Sequence, residues 1–473
     1  MQTRERLVLL FYTFFNVFSN GYIHLYSDEP YYWVWSKKLD FSYFDHPPMV
    51  AYIIKLTTIF GDSPIFMRLG SALLVSATAY ILYRLAQKMF DEKTAVYTFY
   101  VFISSIIVLA ASTLITPDIP LMFFTALMLY SGYIYLEEKD KRYALLLGVA
   151  TGAMLLSKYT GVLVVFTFLL YVFLYRRWVL KDGYFYAAIL LSMLVFSPVL
   201  YWNYQHDFIS FAFQLNHGIA EEKVFNQQSF FGFLGLQFVL FHPLYLLPLL
   251  YFIVTDKDRF ETKKVYLLLP FLFVLSFFVY HAAFKDANAQ WAGPAYLSAS
   301  ILLGYYLAQH KMHKLLITAL SISAFAMLLV KTPVGELYIE PVKKLHTRLG
   351  HIDKFEEEIK ALNINLDGYN YLLIDDYHGS EVAYYFRKYE NVLVLNYARF
   401  SNYNIWRHDE AGIAMEEGFL KEIPSLGKCL YIGRSDYHYY ELKNLFPEHK
   451  LLAHLQKKIA GRELQFYIVE FNN

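Results

Sequence analysis

The chain holds a single cysteine among its 473 residues, and it holds few charges with almost no imbalance between their signs. Cys429 alone closes no intramolecular disulfide and builds no cysteine-based metal site. Lys plus Arg number 42 against 41 Asp plus Glu, a net charge of +1, so no nucleic-acid partner is expected. Charged residues make up 18% of the chain, where a soluble domain carries about 25%. Also missing are a Gly-rich phosphate loop and a nucleophile elbow in the C-terminal tail, and a signal-peptide cleavage site after the first apolar run. Apolar surface stands in place of charge: 57% of residues are hydrophobic and 19% aromatic. This excludes disorder, collagen-like repeats and a disulfide scaffold, and it points to a chain largely dissolved in lipid.

The scarcity of charge is uneven. Residues 1–331 carry 45 charges, or 14%, and residues 332–473 carry 38, or 27%. The first part reads as a transmembrane domain and the second as a small soluble α/β domain. A run of about 20 apolar residues crosses a bilayer as a helix. Eleven such spans are expected, near residues 6–25, 64–83, 94–113, 118–136, 143–158, 160–176, 184–202, 229–254, 265–283, 290–308 and 314–330. The weakest division lies at Ser157–Gly161, and Pro47–Phe60 is apolar but short, so it reads as interfacial or re-entrant. With the N-terminus in the cytoplasm, the inner segments hold 17 Lys and Arg and the outer ones, before the tail, 7. That is the bias of a protein so oriented. Eleven spans then place the tail outside, in the periplasm of a bacterial inner membrane. Within the tail, Asp353–Leu362 and Gly379–Tyr389 read as helices, and Tyr371–Asp375, Asn391–Asn396, Cys429–Gly433 and Gln465–Phe471 as strands.

The two long outer loops, 26–63 and 203–228, collect acids, histidines, tryptophans and prolines. Ser27 can cap a helix whose first turn holds Asp28 and Glu29, where the helix dipole favours acids. Tyr31, Tyr32, Trp33 and Trp35 suit an amphipathic helix lying at the interface. Either Asp28 and Glu29 merely start that helix, or a carboxylate sits against an apolar wall that raises its basicity. Two prolines after Asp45 and His46 can hold that pair rigidly. Asp118 opens the fourth span inside an apolar stretch, as a helix cap or as a functional acid. Arg68, Lys158 and Lys285 sit at outer ends of spans, against the charge bias; such cations snorkel to lipid phosphate or bind a substrate phosphate. His217, alone in its loop, reads by itself as structural or solvent-facing. Acids beside cations at a membrane surface suit one reaction class. A hydroxyl attacks a group carried on a lipid phosphate, a carboxylate takes the proton, and the cations stabilise the departing phosphate.

Asp28-Glu29 after the first span, Tyr43-Phe-Asp-His-Pro-Pro48, Thr116-Pro-Asp118 and Leu156-Ser-Lys-Tyr159 together resemble the polyprenyl-phosphate-sugar-dependent glycosyltransferases of the GT-C fold. Among these they resemble the protein O-mannosyltransferase-like proteins and the lipid A aminoarabinose or galacturonic acid transferases, from about Arg4 to Tyr296. The resemblance implies that Asp28 is the catalytic carboxylate with Glu29 beside it, that Asp118 supports the site, and that Lys158 and Lys285 face the donor phosphate. It also implies a divalent metal, zinc, magnesium or manganese, between Asp45 and His217, with His46 and Tyr296 nearby. Where the aminoarabinose transferases carry Glu then Lys, this chain carries Asp45 then His46. Around Lys285 it lacks one cation of a Lys-Gly-Lys-like segment.

The function expected is transfer of a sugar, with inversion, from a polyprenyl-phosphate donor to a lipid A-like or other envelope acceptor. Protein O-mannosyl transfer is the alternative within the same class. A transporter or flippase for a lipid-linked glycan is a rival, and would need paired hydropathy repeats and helices broken mid-membrane, neither of which the sequence displays. A non-catalytic scaffold would leave the outer acids and lysines without a purpose.

Overall fold

The computed structural model describes residues 1–26, 28–218, 224–339, 342, 352–395, 400–411, 426–446, 448–459 and 462–472. Ser27, expected as a helix cap, therefore lies outside the described residues, as does the side chain of His217.

A bundle of helices fills the first two-thirds of the chain. Its elements are α1 (Thr3–Ser19), α2 (Asp28–Lys37), α3 (Met49–Thr57), α4 (Pro64–Met89), α5 (Glu92–Ser104), α6 (Ile106–Ala111), α7 (Asp118–Glu137), α8 (Arg142–Leu155) and α9 (Gly161–Tyr175). They continue as α10 (Gly183–Gln205), α11 (Ile209–Gly218), α12 (Gln227–Phe241), α13 (Leu246–Thr255), α14 (Thr262–Ala282), α15 (Gly293–Gln309), α16 (His313–Lys331) and α17 (Pro333–Tyr338). Five of these, α4, α7, α10, α14 and α16, are each long and apolar enough to cross a membrane, and α12 with α13 pass as a bent pair. The protein is thus a multi-pass membrane protein. Shorter helices, α1, α5 with α6, α8, α9 and α15, occupy the other segments where spans are expected. The chain does leave the helix at 156–160, between α8 and α9.

Packing follows from where the small residues fall. A side chain at Gly148 or Gly152 would run into the backbone of α10, so these glycines let α8 and α10 lie backbone to backbone. Helix α15, the most enclosed, is buried along almost its whole length, with Gly304 pressed on Thr98 of α5. One feature departs from expectation. The segment α12–α13 is broken, with a 92° bend at His242 and Pro243. Proline disfavours the α conformation in the residue before it, and His242 takes a positive φ of 109°.

The tail builds a five-stranded sheet from β1 (Tyr371–Ile374), β2 (Val392–Val394), β3 (Cys429–Gly433), β4 (Glu448–Ile459) and β5 (Arg462–Asn472), in the order β2-β1-β3-β5-β4. The first three pair in parallel, while β5 runs antiparallel to β3 and β4. Strand β4 goes unread in the sequence because its lysines and histidines break the apolar alternation that marks the others.

Helix α2 corrects a second expectation. Every residue from Glu29 to Ser36 is buried, so its aromatic residues face protein rather than lipid. Its Tyr31, Trp33, Val34 and Trp35 share one apolar cluster with Ile374, Val382 and Phe466 of the tail. Trp33 meets Tyr384 edge-on at 5.3 Å, and Tyr31 stacks near Tyr403 at 5.7 Å. Aromatic side chains bury about 150–250 Å² each, roughly 4–6 kcal/mol apiece before the compactness of the unfolded chain is discounted. The first long loop is therefore the floor on which the tail is built.

Candidate active site

Bundle and tail together enclose a cavity of 1510 Å³. Part of its wall is apolar, with Ile107, Leu114, Leu163, Leu240, Phe277 and Phe278. Its polar wall contains Asp28, Asp45, His46, Asp118, Lys158 and Lys285. These six come from five separate stretches of chain, Asp45 and His46 being neighbours, and the fold brings all of them to one space.

Each is placed by a local device. Asp28 opens α2 and is half-buried. Asp45 is buried; its carboxylate accepts a hydrogen bond from the Tyr31 hydroxyl at 3.1 Å, and its backbone carbonyl accepts one from Gln214 at 2.8 Å. The Tyr43–Pro48 turn is held from both ends by neighbouring segments. Tyr43 stacks on Trp35 at 4.2 Å and donates to the carbonyls of Trp35 and Lys38, both at 3.0 Å. The Phe44 N–H donates to Asn402 of the tail at 2.6 Å, and the Met49 N–H to the Leu156 carbonyl at 3.1 Å. That last bond ties the turn to the break between α8 and α9, where Lys158 stands.

Asp118 is the first residue of α7, and the Lys158 ammonium donates to it at 2.7 Å. The same ammonium lies 5.8 Å from the Trp291 ring centre. An ammonium has three donors, so this pairing leaves Lys158 able to meet a second anion. Lys285 donates to the Asn216 carbonyl at 2.6 Å. The Tyr32 phenol stands among three of the acids: burial, then Asp28, Asp45 and Asp118, push its ionisation well above the usual range.

Three expected residues do not line the cavity: Glu29, Arg68 and Tyr296. Arg68 is fully buried, and its five N–H groups are all engaged. It donates to Glu29 at 2.8 and 2.5 Å, to the carbonyls of Asn20 and Ile23 at 2.9 and 2.7 Å, and to that of His24 at 2.9 Å. Glu29 also accepts from the backbone N–H groups of Tyr26 and Ile115. With every donor and acceptor taken, the pair braces the first loop and is unavailable to a phosphate. Tyr296 is buried, stacks on Phe241 at 4.8 Å and donates to Gln237 at 2.6 Å.

As for a metal, Asp45 is engaged by Tyr31, and among the described residues no group of three or more His, Cys, Asp or Glu side chains stands close enough to hold an ion. The expected second ligand, the side chain of His217, lies outside the described residues. Residues that sequence reasoning missed include His281, Gln290 and Trp291 on the bundle's side of the cavity wall, and Tyr377 and His378 from the tail. They carry no local signal, because only the folded chain places them beside the acids.

A family model described as dolichyl-phosphate-mannose-protein mannosyltransferase matches residues 45–202. The lipid A galacturonosyltransferase RgtD of Rhizobium johnstonii is 27% identical over 310 residues, 64% of this chain and 64% of that protein. The match thus spans less than two-thirds of that relative's length. The crystal structure of ArnT from Cupriavidus metallidurans bound to undecaprenyl phosphate superposes with a TM-score of 0.73 at 14% identity, covering 99% of this chain and 98% of that one. The chain shares the fold of that ArnT structure over its whole length. A more distant likeness is the Archaeoglobus fulgidus oligosaccharyltransferase in complex with Zn and sulfate, with a TM-score of 0.51 at 12% identity over 93% of this chain and 69% of that one. The ArnT-like fold accounts for bundle and tail together.

Proposed function

We propose that this chain is a bacterial inner-membrane glycosyltransferase that moves a sugar from a polyprenyl monophosphate to a hydroxyl of a lipid A-like glycolipid, with inversion. The observation that carries this reading is the single cavity that joins an apolar wall to three carboxylates and the Lys158 ammonium. An isoprenoid tail suits the apolar wall, and its phosphate suits Lys158 and Lys285. The neighbour ArnT holds undecaprenyl phosphate, and the relative RgtD is named for galacturonosyl transfer to lipid A; both support the assignment of substrates.

In this reading Asp28 takes the proton from the acceptor hydroxyl as the oxygen forms its bond to the anomeric carbon. The bond from that carbon to the phosphate oxygen breaks at the same time, and its electron pair leaves with the polyprenyl phosphate. Lys158 and Lys285 stabilise the charge that develops there. Asp118 holds Lys158 in place, and Asp45 with Tyr31 shapes the acceptor side. Glu29 and Arg68 act structurally. Topology completes the picture: eleven spans with the N-terminus in the cytoplasm put the cavity mouth and tail in the periplasm. The broken α12–α13 segment does not revive the transporter reading, because the polar residues gather at the tail end of the bundle rather than along a path through it.

Sugar release and transfer by purified protein from a synthetic polyprenyl-phosphate sugar test this. Asp28→Asn is expected to lower transfer about 10²–10⁴-fold, the span of general-base catalysis. Lys158→Ala is expected to raise the donor KM. Full activity in both variants would end the assignment.

A further inference from the structure

The tail reaches the cavity through a turn that the chemistry above leaves unused. Tyr377 and His378 belong to the 3₁₀ turn Tyr377–Gly379, which follows β1, and both line the cavity. Asp376 holds this turn from one side. One of its carboxylate oxygens accepts the His378 backbone N–H at 2.9 Å, and the other stands 3.4 Å from His378 Nδ1. From the other side the Tyr377 ring lies 4.0 Å from the imidazole, and Tyr377 packs 5.2 Å from Tyr31 of α2. The imidazole is thus fixed by two neighbours yet remains 36% exposed. With Nδ1 turned to Asp376, Nε2 is the ring nitrogen left to meet a ligand.

Its side of the cavity follows from the chain. Tyr377 leans on Tyr31 of α2, the helix that begins with Asp28, whereas Lys158 follows α8 and Lys285 follows α14. In an in-line displacement the attacking hydroxyl lies with its base, and the leaving phosphate lies opposite. The tail's turn therefore stands with the acceptor rather than the donor. We propose that His378, oriented by Asp376, hydrogen-bonds the sugar headgroup of the acceptor glycolipid and sets its approach to Asp28. This rests on the donor and acceptor reading given above.

The test uses the full chain in nanodiscs, a synthetic polyprenyl-phosphate sugar as donor and lipid A bisphosphate as the acceptor probe. His378→Ala is expected to raise the KM for lipid A about tenfold, the effect of one lost hydrogen bond to a ligand. The donor KM and the slow release of sugar to water are expected to stay within twofold. His378→Gln, whose amide can replace Nε2, is expected to recover most of the loss, and Asp376→Asn to fall between. An unchanged acceptor KM in His378→Ala, or a donor KM and water release that fail alongside it, overturns the inference while wild-type transfer to lipid A stands. A wild-type protein that releases sugar but leaves lipid A unmodified overturns the acceptor reading and this inference with it.

Discussion

Arg68 places all five of its N–H donors on partners inside the protein, and Glu29 is the one charge among them. Removing either side leaves a buried charge alone, which costs about 3–5 kcal/mol. Arg68→Ala is therefore expected to lower the thermal unfolding temperature of the detergent-purified protein sharply. Arg68→Lys is expected to rescue little, because an ammonium cannot reproduce the two-pronged contact with Glu29. Asp118 and Lys158 differ in kind, since their pair faces the cavity. Asp118→Asn is expected to raise the donor KM with little change in melting temperature, and donor titration beside a melt separates the two effects.

At the scale of elements, α2 determines how loop and tail hold together. Trp33 donates to Asp62 at 2.8 Å while its ring packs against Tyr384 and Tyr389. Trp33→Ala is expected to cost about 3–5 kcal/mol and to free the tail for limited proteolysis, read as an early C-terminal fragment on a gel. The same seam has an acid dependence. Burial alone would raise Asp62, but Lys37, Trp33 and Arg387 outweigh it and hold the carboxyl below its usual range. Asp353, in contact with His24, is lowered in the same way against its burial, by His24 and Lys354. A depressed carboxyl contributes stability that is fully present above the unfolded value, about 3.9, and is lost as pH falls through the lower folded value. Melting temperature is thus expected to hold from neutral pH down to about 4 and to drop below it, and Asp62→Asn is expected to flatten that drop.

For the molecule as a whole, the proposed topology makes a labelling prediction. Cys429 is fully buried and its thiol is pushed up to about 12 by burial, so it stays silent toward thiol reagents. Cysteines introduced at two exposed positions then report on the two sides. Lys450→Cys in the tail is expected to react with a membrane-impermeant maleimide in intact spheroplasts, and Lys257→Cys only after lysis. The opposite pattern would invert the orientation.

Apolar runs and turn residues marked the helices, because a bilayer permits few backbone solutions and those demand long apolar stretches. The chain by itself thus determined a multi-pass bundle, an α/β tail, and a wider candidate set that contains the six cavity residues from Asp28 to Lys285, since charged and histidine side chains at the ends of spans stand out against apolar surroundings. It could not separate Asp28 from Glu29, which are neighbours in sequence and opposite in fate. The turn of α2 sends one toward the cavity and the other to Arg68, and only packed neighbours decide which charge is neutralised. Nor could it show that α2 is buried, because the aromatic residues that suit a membrane interface equally suit the core of a domain lying more than 300 residues away in the chain. Tertiary structure alone brought His378 beside the acids, for a side chain's partners across such separations are set by the fold and leave no trace in local sequence.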